Sequence, residues 1–83
     1  MPKSRDIYAI KGGDYIGEIW VYCGKKEPHY NFLSVPLMVN RSVEFETFER
    51  GVDLEIVSLV DRAPRHVYKT SKKQFEHNEK SNN

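Results

Sequence analysis

Cysteine is nearly absent. Cys23 stands alone, which excludes an internal disulfide and a cysteine-based zinc site. The opening MPKSRDIYAI carries no apolar leader, and with a lone thiol this predicts a reducing, cytoplasmic setting. Long apolar runs are missing too. No stretch approaches the ~20 consecutive apolar residues that cross a bilayer, so no membrane partner is expected. Asn40-Arg41-Ser42 has the form of a glycosylation acceptor, but without secretion it reads as a chance match.

Catalytic spacing is equally scarce. Gly12 and Gly17 have the separation of a GxxxxG phosphate loop, yet Glu18 stands where that loop needs its lysine. A carboxylate there repels phosphate, and no Ser or Thr follows to hold magnesium. His29, His66 and His77 are scattered, without an HxH or HxxxH pair to preset two metal ligands on one element. His66 and Lys69 have the makings of an acid–base pair, but a surface histidine in a basic segment explains them more simply. Cys23 alternates with Ile19 and Val21 and reads as a small buried residue rather than a nucleophile. The expectation is a non-catalytic protein with no cofactor and no bound metal.

What the chain does have is strand signal. Its 83 residues make one domain with a small core, which suits a binding face better than a deep catalytic cavity. Asp6 to Lys11 alternates and stops at Gly12-Gly13. From Tyr15 to Cys23, residues Tyr15, Gly17, Ile19, Val21 and Cys23 fall on one face, and Ile16, Glu18, Trp20 and Tyr22 on the other. The charged turn Gly24–Pro28 leads to a second strand, Tyr30–Val35, and the two read as a hairpin. Val43, Phe45 and Thr47 alternate with polar residues as a further strand. Phe48–Gly51 reads as a bend or one helical turn, and Leu54–Val60 as a central strand. His66–Lys69 is predicted as a last short strand. Ser71-Lys72-Lys73-Gln74 fits a capping box, which predicts a helix to about Glu79 anchored by Phe75.

Five to six short strands at such spacing predict a small antiparallel barrel. Within it, Ile10 to Val21 (IKGGDYIGEIWV) resembles the opening of SH3-like barrels of the KOW type. There a strand ends at a glycine, a short loop follows, and a second glycine leads into a long bent strand. The resemblance implies a mainly β, SH3-like barrel with a short C-terminal helix. Its expected extent is residues 6–76, between an N-terminal arm (1–5) and a disordered tail (77–83). Barrels of this class bind RNA, peptides, modified side chains or other proteins, so the likeness speaks to fold more than to function.

Charge is the other signal. The net charge of +1 conceals a division. From Glu44 to Asp61 six acids face only Arg50, a balance of −5, and Arg62 to Lys73 carries five bases and no acid, a balance of +5. Either the blocks neutralise each other across neighbouring strands, or the basic one orients the molecule on a polyanion. The expected partner is RNA or single-stranded nucleic acid, bound by Arg62, Arg65, Lys69, Lys72 and Lys73 with Lys25 and Lys26. Trp20 and Tyr22 join them if they face solvent as a stacking platform; otherwise they are core, with Trp20 against Phe75. The alternative is a protein-binding accessory factor that inhibits or redirects a host enzyme such as a nuclease, with or without its RNA. A lone small barrel resembles, in style only, the short accessory proteins of phages and mobile elements. In that reading Glu44, Glu46 and Glu55 mimic nucleic acid against a basic target.

Overall fold

A computed structural model describes residues 1–81. Five strands form one antiparallel sheet: β1 (Asp6–Ile10), β2 (Ile19–Lys26), β3 (His29–Val35), β4 (Val39–Glu44) and β5 (Val57–Arg62). Two helices complete the fold, α1 (Phe45–Asp53) between β4 and β5, and the C-terminal α2 (Arg65–Ser81). The sheet order is β4-β3-β2-β1-β5. The expected class holds: a small, mainly β domain of five antiparallel strands with a C-terminal helix.

Both faces of the sheet are covered, and this governs where the aromatics go. On one face Tyr8, Trp20, Tyr22, Tyr30 and Phe32 pack with Phe48 of α1. Phe32, fully buried, lies 5.2 Å from the rings of both Trp20 and Phe48, and each such aromatic pair adds ~0.5–1.5 kcal/mol beyond its buried area. On the other face Cys23 and Leu33 meet Phe75 of α2. The bulge between Tyr22 and Gly24 lets β2 bend, and residues on both of its sides are buried.

The strand expected through Val43, Phe45 and Thr47 ends at Glu44, where α1 begins. In a helix Phe45 and Phe48 share a face, so both reach the aromatic core. α1 stops in a Schellman motif: Glu55 takes a left-handed φ of 60°, its N–H donates to Val52 O at 3.0 Å, and Ile56 N–H donates to Gly51 O at 2.8 Å. The LEIVSLV run therefore starts its strand only at Val57. β5 is an edge strand rather than the central one expected, and Leu59 and Val60 are exposed on it.

α2 also departs from expectation. It begins at Arg65, after Pro64, whose carbonyl accepts the Tyr68 N–H at 3.0 Å. His66–Lys69 is thus helical rather than a strand, and Ser71 is buried in mid-helix rather than capping. The helix docks through Phe75, and Asn40 Nδ2 donates to Phe75 O at 3.0 Å. The tail expected from residue 77 is helical through Ser81, and its last two residues lie outside the described ones. The arm of residues 1–5 is fastened to the sheet: Asp6 N–H donates to Lys3 O, and the buried Asp6 carboxylate accepts from Lys3 N and Tyr8 Oη, both at 2.9 Å. Burial and then this carboxylate raise the Tyr8 hydroxyl well above the usual tyrosine range.

Candidate nucleic-acid interface

β1 pairs with β5, and Asp6 lies opposite Arg62. This joins the start of the chain to the start of α2. Ser4, Arg5, Arg62, Arg65, Tyr68 and Lys69 line a shallow cleft of about 300 Å³ there. Four cations share the cleft and no acidic side chain lines it. None of the four has an ion-pair partner among the described residues. Arg5 is held at φ 73°, a conformation unfavourable for a side chain with a Cβ, and its carbonyl accepts the Ala63 N–H.

Three of the expected basic residues, Arg62, Arg65 and Lys69, converge on this cleft. Lys72 and Lys73 are exposed on the next turns of α2, with Lys72 continuing the row of Arg65 and Lys69 and Lys73 offset from it. Lys25 and Lys26 are exposed at the tip of the β2–β3 hairpin. β2 pairs at Val21 with Ile7 and then runs past the level of Arg62, so the hairpin ends at the same end of the sheet as the cleft. Arg5 was not among the expected residues. Its only signal was a basic residue one step before the first strand.

The aromatic platform does not exist. Trp20 is 3% exposed and Tyr22 8% exposed, both within the aromatic cluster that Phe48 of α1 joins. Trp20 packs on Phe32, on the opposite face of the sheet from Phe75, so its expected helix partner is corrected as well. Its indole N–H donates to Glu18 Oε1 at 3.0 Å. The same oxygen accepts from Ser34 Oγ at 2.7 Å and Arg41 Nε at 3.0 Å, while Arg41 Nη2 donates to Glu18 Oε2 at 3.0 Å. The Arg41 guanidinium, with help from Trp20 and Ser34 and against partial burial, lowers the Glu18 carboxyl to about 2. Arg41 in turn lies 4.1 Å over the Tyr15 ring. Glu18, which disqualified the phosphate loop, ties the β1–β2 loop to β3 and β4.

The acidic residues do not form one patch. Glu44 ends β4, Glu46 lies in the first turn of α1, and Glu55 follows its last turn, with the nine-residue helix (~13 Å) between them. Glu46 at the helix start complements the dipole. Cys23 is buried, and burial raises its thiol to about 11, so it is no nucleophile near neutral pH. Among the described residues no three His, Cys, Asp or Glu side chains are placed to hold a metal ion. His66 and His77 are exposed on α2, and His29 opens β3.

Fold and cleft together define a small β-rich domain with a cationic cleft at one end of its sheet. Comparison with protein-family models, curated proteins and solved structures finds no match. Among the described residues no helix is long and apolar enough to cross a membrane.

Proposed function

We propose that the protein is a non-catalytic cytoplasmic module that binds RNA or single-stranded nucleic acid by its phosphate backbone. The observation that carries this reading is the set of Arg5, Arg62, Arg65 and Lys69 around one cleft, without acidic lining or ion-pair partners. Such a cluster is electrostatically unfavourable until an anion joins it. The start of α2 adds to this, since it has no acid in its first turn and opens on Arg65. Lys72, Lys73, Lys25 and Lys26 extend the basic surface to either side. Base stacking is not part of the reading, because Trp20 and Tyr22 are buried.

Recognition through phosphates alone is weak in sequence preference and steep in salt. With about five phosphate contacts on a single strand, log K should fall against log salt with a slope of about −3.5. Fluorescence anisotropy with a labelled single-stranded RNA, its DNA counterpart and the duplex measures this. Arg62→Ala with Arg65→Ala and Lys69→Ala should abolish binding while leaving the fold intact, because all three side chains are exposed. No binding by the wild type at low salt overturns the proposal.

A further inference from the structure

A second cavity, of about 310 Å³, lies at the opposite end of the sheet from the basic cleft. Ile10 closes β1 and Val57 opens β5 at this end, paired with each other. Trp20, Phe48, Ile10 and Val57 make an apolar floor, so the cavity opens directly onto the aromatic core. Gly12, Gly13 and Gly51 put no side chain into it. At Gly51 the space toward β5 is closed as well, since an added Cβ would meet Val57 Cγ2 at 2.9 Å.

The mouth has two charged groups of opposite sign. Asp14 lies in the β1–β2 loop and Arg50 in the last turn of α1. Neither has an ion-pair partner among the described residues. Exposed apolar side chains lie beside them: Tyr15 and Leu54 (63% exposed) line the mouth, and Ile16 (66%) and Val52 are their exposed near neighbours in sequence. These belong to the two segments that frame the mouth.

The geometry points to a socket for one bulky apolar side chain presented by an extended peptide segment of a protein partner. The floor takes an aromatic or branched aliphatic group, and since about 150 Å³ holds one benzene-sized ring, the rest of the volume leaves room for the peptide units that carry it. A peptide unit flanking that group carries an N–H for the Asp14 carboxylate and a carbonyl for the Arg50 guanidinium. A hydrocarbon would engage neither charge, and a fatty acid would bring its carboxylate beside Asp14 as well as Arg50. Exposed Ile16 and Leu54 extend the apolar surface beyond the hole, which calls for a covering chain wider than a small molecule. This site is independent of nucleic-acid binding and faces away from it, so one molecule can hold a polyanion at one end and a protein at the other.

The test uses the full chain, labelled with nitrogen-15, and a capped pentapeptide with Phe between glycines; the all-glycine peptide and toluene are controls. The Phe peptide should give saturable, millimolar shifts of the Gly12, Gly13, Gly51 and Leu54 amides, binding at least several-fold more tightly than toluene. Asp14→Ala and Arg50→Ala should each weaken the peptide several-fold and leave toluene unchanged. Thr47→Phe, on the exposed rim of the cavity, should block both; Leu54→Glu serves the same end if that variant unfolds. No saturable shift, equal shifts from the all-glycine peptide, or equal affinity for toluene overturns the peptide socket. Shifts at the same amides on dilution of the protein alone would assign the socket to a second copy, and overturn it too.

Discussion

The main-chain carbonyl of Arg5 accepts a 2.6 Å hydrogen bond from the amide of Ala63. Through this bond, residues 1–5 are fastened to the turn that precedes α2, and Arg5 joins Arg62 and Arg65 at one cleft. The bond comes with Arg5 in the left-handed region at φ 73°. Conformation and charge therefore pull in opposite directions at this residue. Arg5→Gly should raise stability by about 0.5–1 kcal/mol, since a left-handed residue with a Cβ costs ~1–2 kcal/mol and glycine's entropy returns part of that. The same change should weaken RNA binding several-fold and make the salt slope shallower by about 0.7, the loss of one phosphate contact. Paired chemical denaturation and anisotropy measurements check both signs, and a variant that loses both stability and affinity would sink the argument.

Glu55 offers a purer test of the same backbone effect. It holds the left-handed position of the Schellman motif at φ 60° and is exposed. Glu55→Gly should stabilise by about 1 kcal/mol, read as a Tm increase of roughly 4–8 °C in a domain this size. RNA affinity should not fall, because Glu55 lies at the far end of the sheet from the cleft.

Stability should depend on pH through Glu18. Its folded-state carboxyl, at about 2, lies below the ordinary 4.5, so the stabilisation from Arg41 is fully present above pH 4.5. It is lost as pH falls from 4.5 through about 2, a loss of about 2 kcal/mol for a pair that solvent still reaches. Arg41→Gln should lower stability near neutral pH by a similar amount and flatten the profile between pH 4.5 and 2. Urea titrations at a series of pH values measure it; an unchanged slope in the variant would place the dependence elsewhere.

Trp20, the one tryptophan, reports on the aromatic core. Its emission should be blue-shifted and poorly quenched by acrylamide, and saturating RNA should leave it unchanged, because no base can reach a ring 3% exposed. Phe32→Ala should cost about 4 kcal/mol, most of what a small domain has, and red-shift that emission. Quenching of Trp20 by RNA would instead restore the stacking platform.

The strand pattern was legible in the sequence wherever a single local rule decided it. Alternation from Asp6 to Lys11 became β1, and the run from Tyr30 to Val35 became most of β3, because period-2 burial and turn residues are local properties. Arg62, Arg65 and Lys69 were expected on one edge from their closeness in the chain, but with Lys69 on a strand; the helical turn that sets Arg65 and Lys69 on one face was not legible. The start of α2 is hidden in the sequence because its inward stripe, buried Ser71 and Phe75 with half-buried Val67 and Asn78, is half polar, so the hydrophobic period that marks a helix is faint. Tertiary structure alone decided three things. It covered the Trp20 and Tyr22 face with α1, which no strand pattern predicts because period 2 gives a face and not its neighbour. It put the LEIVSLV run at the edge of the sheet, where β5 pairs with β1 alone, while the Schellman stop at Glu55 delays its start to Val57. And it brought Arg5 to Arg62, residues far apart in the chain, through β1–β5 pairing, which depends on the sheet as a whole.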